Sequence, residues 1–438
     1  MTSLRALLVV GTRPEIIKMA PIIWAAQDAG VELVIVHSGQ HYDYYMSSVF
    51  FKQLKFPRPS FYLGASGLDN VTQTAKVMEA LTAILEKTRP DIVLAVGDTN
   101  TVLGALLAAR KMMIPSGHVE AGLRSYNPLM QEEVNRIVAD HVSTLLYAPT
   151  RWAFTNLVAE GIDVQRITVS GNTIVDVLMR FLPYIQKRAE DIEGFDKHSN
   201  YILLTLHRAE NVDHPERLKR IVLGITELSK RGFQIVCPCH PRLLRRLQEH
   251  GLEGAMRNSV VMLRPLGYFE FLSLLYQAEV VITDSGGVQE EAFTLGVPCV
   301  TTRYSTERPE TVWLGRNVLV GRDPRRIVDA VEQFYGKRFT PLMGPDNPLG
   351  DGRAGTRIVR DMLARAEAGF LASAVEEPDL RDCGSYTRLV LPAESVNGGS
   401  KEVQVYGIWG DDGVALSFGD SAAVVGVYSR RPPKRLRS

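Results

Sequence analysis

Residues 280–300, VVITDSGGVQEEAFTLGVPCV, read as strand, turn, helix and the start of another strand. The β-branched run stops at Asp284, and Ser285, Gly286 and Gly287 then open a helix. A second apolar run follows from Pro298 to Thr302, so the stretch is one βαβ unit and implies a parallel sheet. The first turn of such a helix carries unpaired backbone N–H groups and the positive end of the helix dipole. An anion of pyrophosphate type suits that position, and glycine at both 286 and 287 lets a phosphate approach the backbone. Glu291, one turn further in, is placed to accept hydrogen bonds from ribose hydroxyls.

The same alternation runs through most of the chain. Strands are expected at 4–10, 31–37, 91–96, 115–119, 144–148 and 166–169, and in a second series at 201–206, 233–237, 260–263, 279–283 and 298–302, with amphipathic helices between them. The fold class is therefore α/β, with two doubly wound Rossmann-like halves. Boundaries are expected at 1–172, 173–352, 353–370 for a closing amphipathic helix after the turn at Gly350 and Gly352, and 371–438 for a small β appendage. The appendage reading rests on the β-prone runs YTRLVL, EVQVYGIWG, GVALSFG and AVVGVYS, which glycines and an asparagine separate. The last nine residues, RRPPKRLRS, carry five cations and two prolines and read as a solvated tail.

The 438 residues carry a net charge of +1, 45% hydrophobic and 23% charged residues. That balance gives no bias toward nucleic acid or an acidic membrane. No apolar run approaches the ~18 residues of a membrane span, and no signal peptide opens the chain. Four cysteines (Cys237, Cys239, Cys299, Cys383) are too few for a disulfide framework and suit a reducing cytoplasm. In CPCHP (237–241), Cys237, Cys239 and His240 lack a second cluster at ligand spacing, so packed cysteines are the expectation and no metal site is assigned. There is no GxxxxGK[ST] loop, and no GxGxxG follows the first strand.

In open parallel sheets ligands sit beyond the carboxyl ends of the strands, which singles out the polar residues there. LRALLVVGTRPEIIKMAP (4–21) ends a strand in a turn bearing Arg13, Pro14, Glu15 and Lys18. Arg13 and Lys18 suit an anion at the helix start, and the plainer alternative is a surface ion pair with Glu15. Asp98 ends another strand in GDTNT, where it or Thr99 or Thr101 would cap the next helix. His118 and Glu120 close the strand in HVEAGLRS. Glu132 and Glu133 open a helix that continues to Arg136 and Asp140, where complementing the helix dipole is a sufficient explanation. In the second half, LTLHRAEN ends a strand at His207, Arg208 and Glu210, and RYSTERPE places Arg303 and Arg308 after the last assigned strand.

Taken in order, GTRPEIIK, GQHY, GDTNT, HVEAGLRS, EEVNR, GNTIVD, LTLHRAEN, TDSGGVQEE, TERPE and NPLGDG resemble the non-hydrolysing UDP-N-acetylglucosamine 2-epimerase family across residues 4–366. The resemblance implies the two-Rossmann-domain fold of B-type glycosyltransferases, a homodimer, and interconversion of UDP-GlcNAc and UDP-ManNAc without metal or nicotinamide. It also implies elimination of UDP to 2-acetamidoglucal followed by readdition. By position it implies catalytic roles for Asp98, Glu120, Glu132 and His207. Nucleotide-sugar contacts would come from Arg13, Lys18, Phe271, Ser285, Gly286, Gly287, Glu291 and Arg308. Two departures stand out: Gln131 replaces the proline of the family's Pro-Glu-Glu, and Tyr44 replaces the second glutamine of a Gln-His-x-x-Gln pattern tied to activation by a second UDP-GlcNAc. The alternatives are a 2-epimerase of a modified UDP-N-acetyl sugar and a B-type glycosyltransferase.

Overall fold

The computed structural model describes residues 4–40, 54, 56–188 and 200–373, and four further strands within 386–430. His41, Tyr44, Cys383 and the tail from 431 lie outside the described residues. Residues 1–371 form one compact unit and 372–438 a second.

The first sheet has seven parallel strands: β1 (Arg5–Val10), β2 (Glu32–His37), β3 (Phe61–Tyr62), β4 (Ile92–Val96), β5 (Ser116–Val119), β6 (Leu145–Ala148) and β7 (Ile167–Val169). Their order is β3-β2-β1-β4-β5-β6-β7. The second has six, β8 (Ile202–Thr205), β9 (Ile235–Pro238), β10 (Val261–Leu263), β11 (Val280–Thr283), β12 (Cys299–Thr301) and β13 (Asn317–Leu319), in the order β10-β9-β8-β11-β12-β13. Both are doubly wound sheets whose strand order reverses beside β1 and beside β8. β3 and β13 were not expected from the sequence. Both are short strands at the edges of their sheets.

Burial on both faces explains why β1 and β4 are uninterrupted apolar runs. Leu7 and Val9 pack toward the helices Asn70–Thr88 and Asn100–Lys111, while Ala6, Leu8 and Val10 face the helix Arg13–Asp28. That second core continues into the other half. It takes in Ile174, Val177 and Ile185 of the helix Thr173–Arg188, Leu203 of β8, and Ile358 and Met362 of the helix Ala354–Glu367. The last helix lies on Arg13–Asp28 so closely that a Cβ on Gly355 would stand 2.4 Å from the Pro21 carbonyl oxygen. Asp176 fastens it by accepting from the Ala354 and Gly355 N–H groups at 3.1 and 2.9 Å. In the second unit, β14 (Tyr386–Ala393) pairs antiparallel with β15 (Lys401–Ile408), and β16 (Asp412–Phe418) with β17 (Val424–Arg430).

Candidate active site

Residues that the sequence singles out follow the strands at both reversal points: Arg13 and Lys18 after β1, Asp98 after β4, His207 after β8 and Ser285 after β11. After β1, Thr12 is extended and the helix starts at Arg13, with proline in its first turn. Glu15 is buried and closes this turn, accepting from the Gly11 and Thr12 N–H groups at 2.5 and 3.0 Å. It also accepts from the Thr99 hydroxyl at 2.5 Å, which ties the turn after β1 to the loop after β4. Burial, and secondarily the charge of Asp98, push its pKa up to about 7. The surface pairing of Arg13 and Lys18 with Glu15 is therefore not what forms. Lys18 is buried, with Nζ 2.6 Å from Glu120 and 3.6 Å from Glu290.

Glu120 follows β5 with φ +72°, a conformation that costs a residue with a Cβ about 1–2 kcal/mol. It is held there by its N–H donating to the Tyr147 carbonyl at 3.1 Å. Lys18 is shared between the two carboxylates, and Arg308 also pairs with Glu290. Burial works against the charge of Lys18 but the two glutamates outweigh it and keep it cationic. Burial first, and the like charge of Glu290, raise the pKa of Glu120 against the pull of Lys18. Asp98, 31% exposed, lies 3.4 Å from Arg136, and its carbonyl accepts from Asn135 at 2.9 Å. Thr99, not Asp98, caps the following helix.

Glu132 and Glu133 diverge. Glu133 is buried and accepts from the Ser125 and Tyr126 N–H groups and the Ser125 hydroxyl, shaping the loop before its helix. Glu132 stays half-buried in the first turn of that helix. Gln131 is the exposed first residue of that helix. His118 is spent on structure, its two ring nitrogens 2.6 Å from Asp140 and 2.8 Å from the Gly97 carbonyl.

On the second sheet, Ser285 caps the helix Gly286–Leu295 through Val288 N–H. A Cβ on Gly287 would meet nothing within 4 Å, so the first helical turn is open on that side. A Cβ on Gly286 would come within 2.9 Å of Arg308 Nη1. Arg308 is buried between Glu290 at 2.7 Å and Glu307 at 3.1 Å. Glu307 also binds Arg303 at 2.7 Å and, from the first half, Arg136 at 3.2 Å. These cations, outweighing the burial that opposes its charge, hold its carboxyl well below the usual carboxylate range. Glu291 is buried beside Tyr268, and burial pushes it up to about 8. Phe271 is half-buried on the helix Tyr268–Gln277 and packs against the shared core. His207 lies two residues past β8, with its side chain 42% exposed and Nδ1 3.3 Å from the buried Asp284.

One chain of charge thus joins Asp98, Arg136, Glu307, Arg308, Glu290, Lys18 and Glu120 across the two halves. Four of these were among the site residues expected from sequence; Arg136, Glu290 and Glu307 were not. Their signal was present as charged residues inside otherwise buried turns, as in Glu290 within VQEEAF. His240, part of the cysteine cluster, instead caps the helix Pro241–Glu249, accepting from Arg242 N–H. Cys237 and Cys239 are buried free thiols.

A sequence profile described as UDP-N-acetylglucosamine 2-epimerase matches residues 25–363. The UDP-N-acetylglucosamine 2-epimerase of Methanocaldococcus jannaschii is 44% identical over 360 residues, 81% of this chain and 97% of that protein. The UDP-2,3-diacetamido-2,3-dideoxy-D-glucuronate 2-epimerase of Pseudomonas aeruginosa is 38% identical over 356 residues, 81% and 98% of the two chains. The crystal structure of the M. jannaschii enzyme in complex with UDP-GlcNAc and UDP superposes with a TM-score of 0.76, at 43% identity, covering 82% of this chain and all of that one. With a matching profile over most of its length and relatives this similar across nearly their whole span, the chain belongs to the UDP-N-acetylglucosamine 2-epimerase family.

Proposed function

We propose that the enzyme interconverts UDP-GlcNAc and UDP-ManNAc by expelling UDP, forming 2-acetamidoglucal and adding UDP back. The observation that carries the reading is Lys18, a buried cation from the first half in contact with Glu120 and with Glu290 of the helix that starts at Ser285-Gly286-Gly287. It stands between a candidate proton-transfer group and a candidate phosphate seat.

The chemistry explains the residue types. The C2 proton of an N-acetyl sugar is not adjacent to a carbonyl, so one base acting alone faces a very high barrier. As the C1–O bond to UDP breaks, positive charge develops at C1, and nearby carboxylates stabilise it. The C–H electrons become the C1–C2 double bond, UDP keeps the C1–O electrons, and a carboxylate takes the proton. Return of a proton to the other face of C2, with readdition of UDP at C1, gives the epimer. Asp98, Glu120 and Glu132 share the proton transfers and charge stabilisation. Arg13, Lys18, Arg308 and the turn at Ser285-Gly286-Gly287 retain the diphosphate while it is detached. Glu291 holds the ribose, Phe271 lies at the nucleotide, and His207 assists the leaving diphosphate.

The P. aeruginosa relative supports one other substrate, a UDP-diacetamido uronate. Incubation with a panel of UDP-sugars, followed by proton NMR, separates the readings. UDP-ManNAc formed from UDP-GlcNAc alone supports the first. Turnover of the uronate alone supports the second, and release of free sugar and UDP, or reaction only with an added acceptor, contradicts both. We further infer a cytoplasmic homodimer, to be checked by light scattering of the purified enzyme. Among the described residues no helix is long and apolar enough to cross a membrane, and the described cysteines are free thiols.

A further inference from the structure

Asp284 directly follows β11 at the reversal point of the second sheet and is fully buried. Donors surround it. The His207 N–H stands 3.1 and 3.3 Å from its two oxygens, and the Arg208 N–H and Asn211 Nδ2 reach Oδ2 at 3.1 and 3.2 Å. The His207 side chain first, then the His207 N–H and Asn211, outweigh the burial that opposes its charge and hold it ionised. Asn211 is itself fixed, donating to the Thr302 carbonyl at 3.1 Å and accepting from Arg322 Nε at 2.7 Å. Segments following β8, β11, β12 and β13 therefore brace one carboxylate. Its Oδ1 also faces His207 Nδ1 at 3.3 Å, while 42% of the His207 side chain stays open to solvent.

A loop-shaping carboxylate needs only the backbone donors. An imidazole Nδ1 standing 3.3 Å from it is a further feature, and a buried acid at that nitrogen is how a histidine is oriented for proton transfer at its other nitrogen. We propose that Asp284 is a positioning residue for His207: it fixes the tautomer with hydrogen on Nδ1, presents Nε2 to the cleft, and steadies the ring while Nε2 carries a proton. That proton passes to a diphosphate oxygen as the C1–O bond breaks, leaving a neutral ring, and returns when UDP adds back. Ser285, the next residue, caps the helix at the phosphate seat, so β11 delivers the orienting acid and the seat together. This role rests on the proposed epimerase reading.

The test uses the full-length enzyme with ¹⁵N-labelled histidine. His207 is assigned by its loss in His207→Gln. The wild type is expected to show hydrogen on Nδ1 of His207, and Asp284→Asn to lose that preference. In steady state, Asp284→Asn is expected to lower kcat by roughly 10²- to 10⁴-fold, with KM changed only a few-fold. Asp284→Asn combined with His207→Gln should be no slower than His207→Gln alone. A neutral wild-type His207 whose single hydrogen sits on Nε2 instead of Nδ1, or losses that multiply in the double variant, would overturn the proposal. If Asp284→Asn fails to fold, the wild-type spectrum decides alone. Failure of the epimerase reading is separately visible, as a wild-type enzyme without turnover whose His207 tautomer is still as expected.

Discussion

Glu15 shows how a single residue changes meaning once its surroundings are known. In sequence it is an acid in a cationic turn; in the fold it is a buried carboxyl that links the turns after β1 and β4. Its pKa rises from 4.5 to about 7, so the fold favours its neutral form. The stability this gives is complete below about pH 4.5 and is lost as pH rises through 7. Glu15→Gln should therefore narrow its Tm deficit against wild type, or reverse it, between pH 5 and pH 8; parallel Tm curves would rule this out. Glu291 belongs to the same class, pushed up to about 8. If its partner is the ribose, Glu291→Gln should weaken UDP binding roughly ten- to a hundred-fold by calorimetry while leaving the fold intact. Unchanged affinity would remove it from the nucleotide site. Strand-end positions singled out Asp98, Glu120 and His207 as candidates, and each does follow a parallel strand at its carboxyl end. Glu290 and Glu307 were hidden because their partners, Lys18 and Arg136, lie far away in sequence and meet them only when both halves are folded.

Elements were readable wherever burial imposed a pattern. β1, β4 and β11 are apolar on both faces and stand out, whereas β3 and β13 are edge strands of two and three residues. The amphipathic pattern of the helix Ala354–Glu367 was visible, but its seat on Arg13–Asp28 was not, since that contact spans the length of the unit. The close approach at Gly355 makes a specific demand on this pair of helices. In Gly355→Ala the new Cβ would meet the Pro21 carbonyl, backbone that cannot rotate away, so the helices must part. A loss of about 1–3 kcal/mol is expected, read as a lower denaturant midpoint with an unchanged m-value. A variant as stable as wild type would mean that the helices are not clamped there.

At the scale of the whole chain, two sheets of the same winding share one core, and their reversal points carry complementary parts. The first supplies carboxylates and Lys18, the second a helix start and Arg308. Residues 372–438 form their own unit, and the matched profile ends before them, at residue 363. An enzyme truncated after Leu371 should keep its turnover, and loss of activity in a normally folded truncation would bring the appendage into the site. The central claim, that UDP leaves and returns while a carboxylate carries the C2 proton, is tested most directly by running the reaction in heavy water. The returning proton comes from a group that exchanges with solvent. Product UDP-ManNAc should therefore carry deuterium at C2, substrate recovered at equilibrium should be labelled too, and Asp98→Asn should suppress labelling and epimerisation together. Epimerised product that keeps its protium at C2 would contradict the elimination mechanism.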